Sequence, residues 1–474
     1  MDSNNFYTCL KTSFPFTPTI KQNIGLQKLS NFIFSTLTND IFVLKGYAGT
    51  GKTTIISVLV KNLWHAQKTA VLLAPTGRAA KVISNYSKSE AFTIHKKIYV
   101  PRAEKNGKIS FVLAPNKHKK TLFIVDEASM ISDISNQAKL FGSGSLLDDL
   151  IQFVYSGSQC KLLLIGDTAQ LPPVKLDLSP ALNESNLELN YNKEVIRLEL
   201  DEVVRQGEDS GILFNATHLR EAVSNSYFDS FYFNLNGFKD IVRLNDGYEI
   251  LDAINDAYST LGSEDTALIV RSNKRANLYN EQIRSRILFN ENELTAGDFL
   301  MIVKNNYFWL KPTSEAGFIA NGDIIEVLEI FSIKELYEFR FAEVKIRMVD
   351  YPKMRPFETV LMLDTIKLET PSLPYEESNK LYQEILKDFE DESSSYKKFL
   401  GVKKSKYLNS LQVKFSYAIT CHKSQGGQWD TVFVEQPYLP NGIDRDYLRW
   451  LYTAITRAKE KLYLIGFKDD FFED

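Results

Sequence analysis

The stretch GYAGTGKTT, residues 46–54, determines how the first part of the chain folds. It lies between the apolar run IFVLK (41–45), which predicts a strand, and the apolar-rich IISVLVKNLW (55–64), which predicts a helix. Glycines at positions 46, 49 and 51 allow the backbone to curl so that its N–H groups face a phosphate. The spacing matches G-x-x-x-x-G-K-[ST] and predicts a phosphate-binding loop between a strand and a helix.

The side chains of this loop predict a site for ATP and magnesium. Lys52 is expected to reach the β- and γ-phosphate oxygens, and the hydroxyl of Thr53 to hold Mg²⁺. The positive end of the helix that follows Gly51 strengthens the attraction for phosphate. The nucleotide-binding residues predicted in the loop are Gly49, Thr50, Gly51, Lys52, Thr53 and Thr54.

Length and composition limit the classes of protein that fit. The chain has 474 residues, and this length suggests about two to four domains. No apolar run approaches the roughly 18 to 20 residues of a membrane span, and the start, MDSNNFYTCLKTSF, is not typical of a secretion signal. Three separated cysteines form neither a disulfide framework nor a zinc pattern. We therefore expect a cytoplasmic protein that does not act at a membrane.

Alternation of short apolar runs with helical patterns predicts two α/β units, each a parallel sheet covered by helices. The strands predicted for the first unit are 41–45, 70–74, 121–127 and 161–167. Those predicted for the second are EVIRLEL (194–200), TALIVR (266–271), TVFVE (431–435) and KLYLIGF (461–467).

Two segments interrupt this pattern. In IYVPRAEKNGKISFV (98–112), Asn106-Gly107 between extended runs predicts a β-hairpin, because both turn positions need positive φ. The longer interruption covers residues 296–412. Its first half contains short strand-like runs that predict a small barrel. Its second half, from residue 375 onwards, is charged and helix-patterned, and it predicts an exposed helical arm.

Polar residues follow two further strands of the first unit. In LFIVDEAS (122–129), Asp126 and Glu127 come at the carboxyl end of a buried strand, where open α/β sheets bind ligands. Asp126 is expected to hold Mg²⁺ through water, and Glu127 to orient and deprotonate the attacking water. In LLLIGDTAQLPPV (162–174), Gln170 is placed to bond a γ-phosphate or that water.

Two distant arginines complete the predicted nucleotide site. They are Arg205 in DEVVRQGEDS and Arg457 in LYTAITRAKEK. Either one alone would be interpreted as part of a surface salt bridge. Together, in the second unit, they suggest a nucleotide held between the two units, where an arginine finger can contribute about 10³–10⁵ in rate.

A track for a polyanion is predicted from three loops. The net charge of −3 gives no general attraction to nucleic acid, so such a partner needs a local site. Hydroxyl, His and Lys side chains recur at predicted strand ends in APTGRAAKV (74–82), AFTIHKKIYV (91–100) and YAITCHKSQGGQWD (417–430). Each loop alone would be interpreted as solvated, but their recurrence in both units predicts one groove along a nucleic-acid backbone.

In series, eight motifs resemble those of superfamily 1 DNA helicases, most closely the RecD/Dda branch that translocates 5′→3′. They are GYAGTGKTT, APTGRAAKV, TIHKKI, IVDEAS, LIGDTAQLPPV, VVRQ, YAITCHKSQGGQWD and YTAITRAK. The resemblance implies two RecA-like domains, with a hairpin pin inserted in the first and an SH3-like barrel with its arm in the second. It places these parts at 1–97 with 113–192, 98–112, 193–295 with 413–474, and 296–412.

The resemblance also assigns roles to single residues. Gln22 in TIKQ (19–22) would read adenine, and Gln425 and Gly426 would line the second unit's side of the ATP cleft. Gln428 stands where relatives often have a glutamate near the ribose. The residues implied for single-stranded DNA are Pro75, Thr76, Arg78, Thr93, His95, Thr420, His422 and Lys423.

The function implied is that of an ATP- and Mg²⁺-dependent DNA helicase, a monomer acting on single-stranded and forked duplex DNA. Three alternatives share some of the motifs. A translocase stimulated by single-stranded DNA would differ mainly at the hairpin. A motor subunit of a larger DNA repair or recombination complex would need partners. A small-molecule P-loop kinase would leave the second half of the chain without a role.

Overall fold

The structure is a computed structural model. It describes residues 1–103, 109–133, 141–203, 210–225, 228, 231–311, 313–392 and 394–472. The α-helices are α1 (Ser3–Thr12), α2 (Ile20–Phe34), α3 (Lys52–Asn62), α4 (Gly77–Ser87), α5 (Ile94–Ile98), α6 (Leu146–Ser156), α7 (Glu184–Tyr191), α8 (Gly211–Ser224), α9 (Gly247–Thr260), α10 (Asn273–Arg286), α11 (Tyr375–Lys387), α12 (Ser395–Lys404), α13 (Cys421–Ser424) and α14 (Arg445–Ile455).

The apolar runs predicted for the two sheets all form strands, whereas the strands Ile241–Leu244 and Leu411–Phe415 lie outside any predicted run. They are β1 (Asp40–Gly46), β2 (Thr69–Ala74), β3 (Ala91–Thr93), β4 (Tyr99–Ala103), β5 (Ile109–Leu113), β6 (Thr121–Val125), β7 (Lys161–Gly166), β8 (Glu194–Leu200), β9 (Ile241–Leu244), β10 (Thr266–Val270), β11 (Phe299–Ile302), β12 (Ile324–Leu336), β13 (Phe339–Met348), β14 (Phe357–Met362), β15 (Leu411–Phe415), β16 (Ala418–Thr420), β17 (Trp429–Glu435) and β18 (Ala458–Ile465).

The first sheet has the strand order β3-β2-β6-β7-β1-β8, and all its pairs are parallel. Strands β6 and β7 are buried along their whole length. One apolar core lies on each face of the sheet, and helices cover both. This arrangement explains the continuous apolar runs, since a strand buried on two faces has no solvent side to alternate with. The predicted first unit is confirmed.

Strand β8 corrects one prediction. The run at 194–200 was expected to open the second unit, but it pairs in parallel with β1 from Asp40↔Glu194 to Gly46↔Leu200. It is therefore the edge strand of the first sheet, and the prediction is wrong. An apolar run is enough to predict that a segment forms a strand. The sheet that this strand joins depends on which sheet has an edge strand free to pair with it. Here that edge belongs to β1.

The second sheet has the order β16-β10-β17-β18-β9, again with parallel pairs. Residues of α8 and α14 share one buried core with its strands. The prediction of two α/β units is thus confirmed. Within the described residues, no helix is both long and apolar enough to cross a membrane.

The hairpin strands β4 and β5 pair antiparallel from Tyr99↔Leu113 to Ala103↔Ile109. The foot of the hairpin is fixed where the Ala114 N–H donates to the Ile98 carbonyl at 2.7 Å. The predicted strands are therefore confirmed. The turn at Asn106-Gly107 lies outside the described residues.

The predicted barrel is confirmed, and it is closed in the order β11-β12-β13-β14-β15. Strand β15 completes it by pairing antiparallel with β11 and parallel with β14. The predicted end of the insertion at residue 412 therefore falls inside a strand.

Two helices, α11 and α12, form the predicted arm. Their residues Leu381, Ile385 and Val402 share a buried cluster with Phe339 and Phe341 of β13. The outer side of the arm is exposed, as predicted, whereas its inner apolar residues pack against the barrel.

Candidate functional site

The loop between β1 and α3 has the geometry that its glycines predict. Gly49 and Gly51 have φ angles of 75° and 85°, a left-handed conformation that favours glycine. A Cβ atom on Gly46 would lie 2.9 Å from Cγ of Lys52. The strand–loop–helix motif is therefore present, and α3 begins at Lys52.

The polar groups of this loop fit a phosphate with a bound cation. The Lys52 ammonium lies in the curl of the loop and donates to the carbonyls of Gly46 and Tyr47, the latter at 2.8 Å. Thr53 is exposed in the first turn of α3. The loop thus has an ammonium, a hydroxyl and a helix N-terminus together, the donor set that a triphosphate requires.

Asp126 and Glu127 lie directly after β6, as predicted. The Tyr86 hydroxyl donates to Asp126 at 2.5 Å, and the Glu127 N–H donates to the same carboxylate at 3.0 Å. Burial raises the pKa of both carboxyls, while the positive charge of Lys52 acts in the opposite direction. Glu127 has a φ of 53°, a conformation that costs on the order of 1–3 kcal/mol outside glycine. The carboxylates are thus held close to Lys52.

The segment after β7 presents a buried group without a partner. The Oε1 atom of Gln170 is buried and has no hydrogen-bond donor among the described residues. Leaving such an atom unsatisfied costs about 1–3 kcal/mol. A water molecule beside the γ-phosphate would satisfy it, so Gln170 fits the predicted role. Nearby, Asp167 accepts from the N–H of Ala169 at 2.9 Å.

The charge of Arg457 in the second unit acts on a carboxyl of the first unit. Its guanidinium is buried and donates to the carbonyls of Thr453 and Gly427 at 2.9 and 3.3 Å. Burial raises the pKa of Glu127, and the charge of Arg457 is the first influence that lowers it. The charge of the predicted arginine therefore favours the ionised form of the predicted base on the other unit.

Helix α14 binds the first unit through its own side chains. The Tyr452 hydroxyl accepts from the N–H of Ala48 in the loop at 2.9 Å and donates to Asp167 at 2.6 Å. The Thr453 hydroxyl accepts from the N–H of Leu171 at 2.8 Å. The phosphate-binding loop and the segment after β7 thus contact the same helix of the second unit.

Helix α8 covers the loop from another side. A Cβ atom on Gly49 would lie 3.1 Å from Cδ1 of Leu213, and the Arg220 guanidinium stacks on the Tyr47 ring at 4.6 Å. The loop is therefore enclosed between the two units. Arg205, the other predicted finger, lies outside the described residues, and its role stays a prediction.

Gln22 and Gln425 contact the site through backbone carbonyls. The Gln22 amide donates to the Thr50 carbonyl at 3.0 Å and accepts from the N–H of Thr19 at 3.0 Å, so it braces the loop against α2. Adenine recognition by Gln22 remains a prediction. The Gln425 amide donates to the Leu171 carbonyl at 2.7 Å.

Gly426 lies against α4, although it was predicted to line the ATP cleft. A Cβ atom there would lie 2.9 Å from Cβ of Ala79 and 3.2 Å from Oγ1 of Thr76. Its φ of 74° turns the chain at this contact. Gln428, two residues later, is exposed.

The predicted DNA-binding residues of the first unit lie at the ends of β2 and β3. The hydroxyls of Thr76 and Thr93 cap α4 and α5, accepting from Ala79 and Lys96 at 3.2 Å each. Pro75 directly precedes the first cap. The Arg78 guanidinium, by contrast, stacks on the Trp429 ring at 4.0 Å and joins the two units.

The predicted residues of the second unit lie at the start of α13. Thr420 precedes this helix, and His422 is exposed. Lys423 donates to the side chain of Asn321 in the barrel insertion. Burial, together with the charge of the nearby Lys414, lowers the pKa of Lys423 to about 8. Through Gly426, this region adjoins Thr76, so the structure brings these two predicted parts of the track together.

Acidic groups of the barrel lie beside the start of α4. A Cβ atom on Gly77 would be 2.7 Å from the Tyr351 hydroxyl and 2.8 Å from Oδ1 of Asp323. Burial raises the pKa of Asp323 to about 8. The Lys81 ammonium lies 3.7 Å from Asp350. The barrel is thus in close contact with the helix that carries Arg78.

His95 lies among aromatic rings rather than at an open phosphate site. We call the rings of His95, Tyr99, Phe111, Phe141, Tyr307 and Phe318 the aromatic cluster. Burial lowers the pKa of His95 to about 4, so its ring is neutral at pH 7. The cluster connects the hairpin to the barrel, since Phe111 of β5 lies 4.9 Å from Tyr307.

Sequence reasoning missed several of these contacts. Tyr452 lies inside the motif YTAITRAK, so a residue-by-residue reading of that motif would have found it. The same holds for Trp429 in the motif YAITCHKSQGGQWD, whereas Tyr86 and the aromatic residues at 141, 307 and 318 carried no local signal. They become recognisable only when distant segments are brought together.

Few protein side chains at the nucleotide site could coordinate magnesium. Among the described residues, no group of three or more His, Cys, Asp or Glu side chains is arranged to hold a metal ion. Magnesium commonly binds through one or two protein oxygens together with phosphates and waters. Thr53 and Asp126 fit such a site only jointly with a nucleotide.

Comparisons with known proteins agree with this geometry. A family model described as an AAA domain matches residues 32–230, and one for the UvrD-like helicase C-terminal domain matches residues 415–465. Together they match just over half of the chain. The ATP-dependent DNA helicase dda of Enterobacteria phage T4 is 25% identical over 89% of this chain and 93% of its own.

Two further relatives have similar coverage. The RecBCD enzyme subunit RecD of Buchnera aphidicola subsp. Schizaphis graminum is 24% identical over 96% of this chain and 74% of its own. A solved structure of Pif1 helicase from Bacteroides, in complex with ADP-AlF3 and ssDNA, is 16% identical with a TM-score of 0.40, covering 94% and 93% of the two chains. Taken with the family models and the motif series, the sequence relatives show that this chain belongs to the superfamily 1 helicases of the RecD/Dda/Pif1 type.

Proposed function

We propose that this chain is an ATP-dependent DNA helicase that moves 5′→3′ along single-stranded DNA and separates duplex DNA at its hairpin. The observation that carries the proposal is the contact between units at the nucleotide site. Tyr452 bonds both the phosphate-binding loop and Asp167, and the charge of the buried Arg457 acts on the Glu127 carboxyl. A ligand that changes the charge in this cleft acts on both units at once, and this is the requirement for a motor.

The chemistry proposed for the cleft is hydrolysis of the γ-phosphate. The loop N–H groups and Lys52 bind the phosphates. Thr53 with Asp126 would hold Mg²⁺, which would offset negative charge on the nucleotide when bound. Glu127 orients the attacking water and removes its proton. The unpartnered oxygen of Gln170 accepts a hydrogen bond from that water.

Charge that develops on the transferred phosphoryl group is stabilised from the second unit. Arg457 is already buried and oriented by the Thr453 carbonyl, so it needs little reorganisation during the reaction. We assign the same role to Arg205. Loss of the γ-phosphate removes the charge that attracts these arginines, which allows the cleft to open.

Single-stranded DNA is proposed to bind along the ends of β2, β3 and β16, near the starts of α4 and α13. Thr76, Thr93 and His422 are candidates for phosphate contacts there. The hairpin acts as a wedge, and its contact with Tyr307 of the barrel insertion keeps it in position. We propose that the first motor domain also includes β8, which extends it beyond residue 192.

The deciding experiment measures ATP hydrolysis by the full chain with and without oligo-dT, followed by unwinding of duplexes with a 5′ or a 3′ single-stranded tail. We expect strong stimulation by oligo-dT and unwinding of the 5′-tailed substrate. Hydrolysis that is indifferent to DNA would refute the motor assignment. Unwinding from a 3′ tail alone would refute the direction.

A further inference from the structure

A basic hollow lies at the foot of the hairpin, beside β3. Its cavity volume is about 460 Å³, and its lining includes Phe92, Lys96, Lys97, Lys117, His118 and Phe153. None of the lining residues is acidic, although the chain as a whole has a net charge of −3. We call this feature the basic hollow.

The basic hollow adjoins the proposed path of single-stranded DNA. A neighbouring hollow, lined by Gly77, Lys81 and Thr93, shares Phe92 and Lys96 with it. The ammonium groups of Lys96 and Lys97 lie 5.7 and 4.9 Å from the centre of the Phe92 ring. The two hollows therefore adjoin. The neighbouring hollow also includes Glu90, Glu315 and Asp350 and is mixed in charge, whereas the basic hollow has no acidic lining residue.

The backbone of residues 116–120, which carries Lys117 and Lys119, is held in place by contacts with the rest of the first unit. The Asn116 amide donates to the Phe153 carbonyl at 2.9 Å, and the His118 ring packs edge-on against Phe123 at 5.3 Å. The Lys120 N–H donates to the Ser158 carbonyl at 2.8 Å. The basic side chains between Asn116 and Lys120 thus extend from a fixed segment, which reduces the entropy lost when they bind a ligand.

The charges of the basic hollow are not neutralised within the protein. In the parts of the chain that the structure describes, no ion pair involves the lining residues Lys96, Lys97 and Lys117. The same holds for Lys119, an exposed lysine that directly follows the lining residue His118. Burial lowers the pKa of His118, and the charge of Lys97 lowers it further. Glu90 acts on both Lys96 and Lys97, and Glu315 on Lys96, but neither carboxylate lines the hollow. A polyanion is the ligand that this surface fits.

We propose that the basic hollow binds the phosphate backbone of duplex DNA ahead of the hairpin. The inference rests on the proposed helicase function and adds a second binding site to it. Duplex DNA carries one charge per about 1.7 Å of its axis, so even a short segment presents several phosphates to these lysines. Binding at the foot of the hairpin would hold the duplex against the wedge while its strands separate.

The test uses the full chain and a triple variant, Lys97→Ala with Lys117→Ala and Lys119→Ala. Dissociation constants are measured over a range of KCl concentrations for oligo-dT, for the same oligo-dT tail joined to a duplex, and for that substrate with a second, displaced tail. Each lost phosphate contact is expected to reduce the slope of log K against log salt by about 0.9, or roughly 2.7 for three. A matched control removes three exposed lysines elsewhere: Lys397→Ala, Lys404→Ala and Lys468→Ala.

We expect the triple variant to lose slope on the tailed duplex, to bind oligo-dT like the wild type and to keep its oligo-dT-stimulated ATPase. The control variant should match the wild type throughout. An unchanged slope on the tailed duplex would overturn the proposal, and so would an equal loss on oligo-dT. A loss that appears only with the second tail would assign the hollow to the displaced strand and overturn the duplex assignment. If oligo-dT fails to stimulate the wild-type ATPase, it is the proposed function that fails.

Discussion

Two of the places where the two units meet differ in the kind of contact that joins them. At the nucleotide site, the contacts are buried hydrogen bonds, such as those of Tyr452 with Ala48 and Asp167 and that of Thr453 with Leu171. At the hairpin, the contacts are stacked and tilted rings of the aromatic cluster, with centroids mostly about 5 Å apart.

This difference determines how each contact responds to a ligand. A buried hydrogen bond depends strongly on the geometry and charge of its partners. Apolar ring contacts are less directional and respond little to a nearby change of charge. We therefore expect the nucleotide site to open and close with the phosphates while the hairpin stays braced. We therefore expect variants at the nucleotide site to change ATP turnover, and variants at the hairpin contact to change strand separation.

The largest effect is expected from Lys52→Ala. Loss of the ammonium removes the cation that contacts the β- and γ-phosphates, so ATP hydrolysis should become undetectable. Binding to oligo-dT, measured by fluorescence anisotropy, should remain, because the proposed DNA path uses other residues. Lys61→Ala in the last turn of α3 serves as the control and should behave like the wild type. Loss of DNA binding in Lys52→Ala would show that the two sites are not separate.

Arg457→Ala should lower kcat for ATP hydrolysis by about 10³–10⁵, with ATP binding retained. The reason is that, in the proposed mechanism, the guanidinium stabilises charge that develops only during phosphoryl transfer. Arg457→Lys keeps the charge but loses the planar fork, so we expect an intermediate rate. Single-turnover kinetics and a fluorescent nucleotide titration measure the two quantities. Arg445→Ala, an exposed change at the start of α14, is the control. Equal loss of ATP affinity and rate would argue against the finger role.

Tyr452→Phe tests the hydrogen bonds between the units while keeping the ring. Leaving Asp167 and the Ala48 N–H without this partner should cost about 1–3 kcal/mol, and DNA-stimulated kcat should fall roughly 5- to 150-fold. The matched control is Tyr447→Phe on the same helix, whose hydroxyl donates to Gln436 at 2.6 Å inside the second unit. That variant should lose thermal stability without losing DNA stimulation. Identical behaviour of the two variants would contradict a special role for Tyr452.

Contiguous sequence predicted the parts of the site that fold locally. The loop at Gly46–Thr54 and the pair Asp126-Glu127 depend on a strand, its end and the next few residues. The structure therefore places these glycines and carboxylates where the local sequence pattern predicts them. The second unit's arginine was also found, because its motif is itself a short local pattern.

Features that depend on distant segments were less predictable. The run at 194–200 was correctly predicted as a strand but placed in the wrong sheet, since the free edge of β1 leaves no trace in its own sequence. His95 was predicted to contact DNA from its residue type and its position after β3. The rings that surround it come from residues 99, 141 and 318, and they change its chemistry by excluding water.

Phe111→Ala tests the hairpin brace and should have a smaller effect than the changes at the nucleotide site. Each lost ring pair is worth about 0.5–1.5 kcal/mol beyond its buried area, so the unwinding rate should fall roughly two- to tenfold. Oligo-dT-stimulated ATPase should stay at the wild-type level, because no nucleotide contact changes. Phe308→Ala, which removes an exposed ring close to Tyr307 in sequence, is the control. A parallel fall in ATPase would mean that the two contacts are not independent.

The smallest expected effect is a pH dependence of stability at His95. Its pKa is lowered from 6.5 to about 4 because burial disfavours the charged ring. The unfolded chain therefore binds a proton near pH 6.5 that the folded chain does not bind until about pH 4. Stability from this group is full above pH 7 and declines as the pH falls through this window.

Between pH 7.5 and 5.5, the loss attributable to His95 should be about 1 kcal/mol. Urea unfolding of the wild type and His95→Gln at both pH values measures it, since the variant lacks the titrating ring and should lose less stability on acidification. His65→Gln, in the turn after α3, is the control and should keep the wild-type pH dependence. If His95→Gln loses as much stability on acidification as the wild type, the ring titrates in the folded protein too. The aromatic cluster would then be open to water and would respond to charge in the same way as the nucleotide site.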